Sequence, residues 1–171
     1  MTARDVRIDT ALRSIHPTKE SPAWHGAPTA RGLLRGVSPE AAIWRPDPSM
    51  NCIRDIALHV AFWENSVANR LSGASERLEF AARTTGWPAR RDELSQEEWR
   101  HEVALVTLAH ARLVEVVERF DPSLLDEPPA NSTSRRPAIL YMHGVAEHSL
   151  YHAAQIKLLK QLIVHSGQSI G

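Results

Sequence analysis

The chain has 171 residues, 43% of them hydrophobic, which is about one domain by the usual allowance of ~150 residues and enough apolar material for one core. Lys plus Arg total 20 and Asp plus Glu total 20, so the formal charge is zero; two independent catalytic domains are excluded, and no net field exists to attract phosphate backbones or anionic lipid. The single Cys52 precludes an internal disulfide, and charges run through the apolar residues of the N-terminus, unlike a signal peptide. The expectation is therefore a soluble cytoplasmic protein with no nucleic-acid or membrane partner.

In chain order, Ile8, Ala11, Leu12 and Ile15 fall at helical spacing and predict a short helix over 6–15, ended by the breaker run 16–22. A second helical piece is expected over 29–36, and Ser38-Pro39-Glu40 opens a further turn that Arg45-Pro46-Asp47-Pro48 stops. From 49 to 71, Ile53, Ile56, Ala57, Val60, Trp63, Val67 and Leu71 trace one face of a long helix ending at Ser72-Gly73. Residues 74–94 have no sustained period and read as a long loop over one end of the fold. Ser95 with Glu98 three residues on forms a capping-box pattern. Behind it Trp99, Val103, Val106, His110, Leu113, Val117 and Phe120 make the seam of another helix. After a turn-rich connection over 121–136, Pro137 opens a last helix to about Ile163. With no alternating strand pattern, these elements predict an all-α helical bundle with long surface loops.

Nine histidines in a small neutral chain stand out. The inward stripe of the last helix is expected to hold Tyr141, Gly144, Val145, His148, His152, Gln155, Ile156, Leu159, Leu162 and Ile163, with Lys157, Lys160 and Gln161 opposite. His148 and His152, four apart on one helix, lie about 5–6 Å apart at Cβ and can both reach one metal ion. Buried without partners they would cost about 1–3 kcal/mol each, so the core must offer something to receive them. His59, at the edge of its helix's apolar stripe near Cys52 and Trp63, is a third candidate ligand. Three imidazoles on zinc, nickel, iron or cobalt leave a coordination position open for water or substrate, as in a catalytic rather than a closed structural site. A lone inward histidine is more often a hydrogen-bonded core residue, and His110 falls in that class. His16, His101, His143 and His165 read as solvated, and Cys52 as a small buried apolar residue.

The segments His59-Val60-Ala61-Phe62-Trp63 and 143–156, the latter carrying Glu147-His148-Ser149-Leu150-Tyr151-His152 and Gln155, resemble the DinB/YfiT-like metal-binding four-helix bundles. Trp24-His25-Gly26, Arg45-Pro46 and Glu98-Trp99 add to the likeness. The resemblance implies an N-terminal helical extension over 1–21, a DinB-like four-helix bundle over 22–165 and a C-terminal tail over 166–171. It implies metal ligands His59, His148 and His152, one from the bundle's second helix and two from its fourth. Tyr151 and Gln155 then flank the ligands, and Trp63, Asp55, His25 and His110 are candidates for the surrounding pocket. Family members commonly form homodimers, so a homodimer is expected. Some relatives use a divalent metal such as Zn, Ni or Fe to activate a low-molecular-weight thiol for transfer to a small-molecule substrate, and others are described as metal-dependent hydrolases. For hydrolysis Asp55, one turn before His59, is the only nearby carboxylate to serve as general base; a non-catalytic metal-binding or ligand-binding bundle is the third reading.

Overall fold

Helix α1 spans Val6–Ile15 and begins at Asp5, whose carboxylate accepts the Arg7 N–H. It is followed by the short helices α2 (Ala30–Leu33) and α3 (Pro39–Ile43), the long helices α4 (Ile53–Ser72) and α5 (Gln96–Glu118), and, after a single 3-10 turn, α6 (Ala138–His165). The computed structural model describes residues 5–23, 26, 29–74, 78, 86–130 and 132–171, and among these the chain is helical without an extended strand. Among the same residues, no helix is long and apolar enough to cross a membrane.

Local chemistry accounts for the helix ends. Gly73 closes α4 in the left-handed conformation at φ +72, which glycine adopts without steric cost. At α5 the capping box forms as expected: Ser95 Oγ accepts the Glu98 N–H at 3.2 Å, and Glu98 Oε2 accepts the Ser95 N–H at 2.8 Å. The piece expected over 29–36 is shorter than its pattern, because Leu34 already leaves the helix at α2. Lys160 is not turned to solvent with Lys157. Its ammonium donates to the carbonyls of Leu33 and Arg35, satisfying the end of α2.

The four longest helices pack together, and α1 is one of them. Ile8, Ala11, Leu12 and Ile15 bury against Leu113 and Val117 of α5 and Met142 and Val145 of α6. The boundary expected at residue 21 between an extension and a bundle is thus not a gap in packing; by this count His59 lies on the second long helix and His148 and His152 on the fourth. A second apolar cluster joins Ile53, Ile56 and Val60 of α4 to Val106 of α5 and Ile156 and Leu159 of α6. Between the two clusters lies a polar stratum. Glu64, Asn65 and His59 of α4, His110 of α5 and His152 of α6 are all buried there, with His148 and Ser149 half-buried beside them. Gly144 and Leu162, assigned to the inward stripe of α6 by period, face outward instead, since a strict heptad drifts about the axis of a 28-residue helix.

Candidate metal centre

One side of the polar stratum holds three converging imidazoles. His148 Nε2 lies 3.2 Å from His59 Nε2 and 3.1 Å from His152 Nε2, and one ring nitrogen from each of the three lies within 4.8 Å of the others. The far nitrogens establish the tautomers. A carbonyl can only accept, so His59 carries its proton on Nδ1 and donates to Gly86 O at 3.1 Å. His152 Nδ1 donates to Gln155 Oε1 at 2.7 Å. Both rings therefore present an Nε2 lone pair to the common point. His148 Nδ1 is buried and has no partner among the described residues, so this ring is not held by protein hydrogen bonds on its far side.

This donor set fits a cation. Three lone pairs facing one another repel, and a proton on His148 Nε2 can answer only one of its two neighbours. At metal–nitrogen distances of ~2.0–2.1 Å, neighbouring ligand nitrogens stand about 3.3 Å apart at a tetrahedral angle and about 2.9 Å apart at a right angle. The observed separations of 3.1 and 3.2 Å fall between them.

Burial keeps the rings neutral. It pulls the pKa of His148 down to about 4, with the neighbouring His152 and His59 adding to the shift. Burial also lowers His59, against the hydrogen bond to Gly86, and lowers His152, against that to Gln155. The unfolded chain regains an ordinary value near 6.5, so it takes up protons before the folded metal-free chain does. The metal-free protein is accordingly expected to lose stability as the pH falls from 6.5 toward 4. His148→Gln should flatten that slope in thermal melts recorded across the window; an unaltered slope would mean the triad does not set it.

Aromatic rings enclose the cluster. Trp87 stacks on His59 with centroids 3.8 Å apart and planes 4° from parallel. Trp63 stands edge-on, 6.3 Å from His59 and 6.3 Å from His148. The Tyr151 ring is 5.0 Å from His152 and is 61% exposed, so it forms the outer rim. Gly86 and Trp87 lie in the loop over 74–94, which was expected to shape the pocket; its spacing marked neither residue individually, because their roles come from contact with α4. Gly86 sits at φ +76, and a Cβ there would come 2.7 Å from Phe62 Cδ1 and 3.2 Å from Trp63 Nε1. Gly86→Ala is expected to cost about 2–4 kcal/mol from backbone strain and overpacking, seen as a lower denaturation midpoint; an unchanged midpoint would show that Phe62 simply yields.

Two residues expected around this pocket do other work. Both carboxylate oxygens of Asp55 are taken by guanidinium groups, Oδ2 by Arg45 at 2.7 Å and Oδ1 by Arg54 at 3.3 Å, so it is an ion-network residue at the start of α4. His110 bonds away from the triad: Nδ1 meets Glu64 Oε1 at 3.2 Å and Nε2 meets His16 Nδ1 at 2.9 Å. His16, expected to be solvated, is half-buried through that contact. His25 lies outside the described residues. Cys52 is fully buried, and burial, with the Asp55 charge beside it, pushes its thiol up to about 12, so it is inert.

Fold and site together define a class: an all-helical bundle with a buried tri-imidazole cluster spanning its second and fourth long helices. A sequence profile described as the DinB superfamily matches residues 26–156. The chain belongs to the DinB superfamily. No curated protein and no solved structure matches it.

Proposed function

We propose that His59, His148 and His152 hold one divalent cation and that the protein is a metal-dependent enzyme transferring a low-molecular-weight thiol to a small electrophile. The observation that carries this reading is the convergence of three neutral Nε2 atoms, two of them with the opposite nitrogen already committed to Gly86 and Gln155. A divalent cation so held by neutral ligands keeps its positive charge and favours a thiolate over a thiol at neutral pH.

The chain's own residues supply the rest. Gly86 and Gln155 fix the ring planes of His59 and His152, and such outer partners set ligand basicity and orientation. Trp87 covers one face of His59 against water, and Trp63 and Tyr151 offer apolar surface to an incoming substrate. Because Cys52 is sealed and inert, the sulfur nucleophile comes from a co-substrate. Hydrolysis is the weaker reading. Its general base would be Asp55, whose oxygens are both engaged by arginines, and among the described residues no carboxylate joins the converging ligand atoms.

The test is turnover of a thiol panel with an activated aryl halide, in which a sulfur–carbon bond forms, halide leaves with the bonding pair and the thiol proton passes to solvent. Rates should require added divalent cation and fall at least 100-fold in His152→Ala. Equal rates with and without His152 would refute the reading, and ester cleavage without thiol would favour the hydrolase.

A further inference from the structure

Behind the triad, on the other side of the same helices, is a second polar cluster that the metal centre does not use. Adjacent residues diverge: His148 turns to the triad, while the next residue, Ser149, donates from Oγ to Glu64 Oε1 at 3.2 Å. The same Oε1 receives His110 Nδ1 at 3.2 Å, and His110 continues to His16. Glu64 is 4% exposed, its hydrogen bonds from Ser149 and His110 both go to Oε1, and among the described residues no lysine or arginine forms an ion pair with it. Asp55, equally buried, is flanked by two guanidinium groups. A buried carboxylate whose contacts are a hydroxyl and an imidazole on one oxygen leaves the other able to accept, and an ammonium group placed against it gains a charge-assisted hydrogen bond.

Space for such a group is present. Glu64, His110 and Ser149 line a cavity of about 220 Å³ between α1, α2, α4, α5 and α6, and none of the three triad histidines lines it. Its apolar wall comes from Ile15, Val60, Val106 and Leu150. Of the fully charged side chains lining it, Glu64 and Glu147 are negative and Arg31 is positive, so the fixed charge favours a cation. A mainly apolar cavity with a few convergent polar groups is the usual form of a small-molecule site.

We propose that this cavity is a second binding site, separate from the imidazole triad, for a small organic amine whose ammonium group meets the Glu64 carboxylate while its apolar body packs on Val60, Val106 and Leu150. The proposal goes beyond the thiol-transfer reading and does not depend on it.

The test uses the full chain with benzylamine, benzyl alcohol and benzoate as probes, followed through the methyl NMR signals of Val60, Val106 and Leu150. Benzylamine should bind saturably and at least ten-fold more tightly than either of the others. Glu64→Gln should remove that preference, and Leu150→Trp, at a position 39% exposed and outside the Glu64 hydrogen bonds, should weaken benzylamine binding by narrowing the cavity. His148→Ala should leave benzylamine affinity unchanged. Equal binding of the three probes, a preference for benzoate, no saturable shift, indifference to Glu64→Gln, or loss of binding in His148→Ala would each overturn the proposal, the last by returning the site to the triad.

Discussion

His148→Ala is expected to lower affinity for a divalent cation by at least about 100-fold, since loss of outer partners alone is worth about 10–100-fold. His148 is the central member of the triad: its Nε2 is 3.2 Å from that of His59 and 3.1 Å from that of His152. Without it, two nitrogens remain on separate helices, and a two-ligand site loses the chelate geometry. Stability of the metal-free protein should move in a different way. Truncation removes packing, but it also removes Nδ1, a buried polar atom with no partner among the described residues, on a ring whose pKa burial pulls down to about 4. The two effects oppose each other, so the metal-free variant should lie within about 1 kcal/mol of the parent. Competition titration against a chromophoric chelator, paired with denaturation in excess chelator, separates the two quantities. Retention of full cation affinity would dismiss the triad as a metal site.

The second large effect is on stability and comes from the start of α4, five residues before His59. Arg54 is 3% exposed and grips Glu102 with two parallel bonds, Nε to Oε2 at 2.8 Å and Nη2 to Oε1 at 2.6 Å. Its Nη1 reaches Asp55 Oδ1 at 3.3 Å and donates to Ala89 O at 3.1 Å. Arg54→Ala would leave Asp55 and Glu102 short of a counter-charge in a mostly dry setting. Breaking a buried ion network from one side costs about 3–5 kcal/mol, and Arg54→Ala should show a loss of that size in urea denaturation. The consequence extends to the site. Arg54 holds the carbonyl of Ala89 and Arg45 that of Arg91, and the segment they tie to α4 is the one carrying Gly86 and Trp87 to His59. Trp87 fluorescence and cation affinity should therefore both change in Arg54→Ala. A loss below about 1 kcal/mol would place the network among ion pairs that contribute little.

Where the governing interactions are local, the sequence alone was sufficient. The bounds of α1, the Ser95–Glu98 cap, the glycine stop after α4 and the shared face of His148 and His152 all follow from residues within one or two turns of each other. His59 was legible as a candidate from its place at the edge of its helix's apolar stripe, and one of its ring nitrogens lies within 4.8 Å of those of His148 and His152. Tertiary structure decided what crosses long separations. Whether Asp55 would face the imidazoles or be consumed by Arg45 and Arg54 depends on three side chains meeting at the start of α4, and no helical period encodes that. The same holds for His110, whose inward position was readable but whose partners, Glu64 and His16, lie 46 and 94 residues away along the chain. Gly86 and Trp87 were legible only as part of a pocket-shaping loop over 74–94, because a loop carbonyl and a stacked ring gain their individual roles from the helix they land on. Helical period determines which side of an element turns inward; charge pairing and hydrogen-bond satisfaction inside the folded core determine what that side meets.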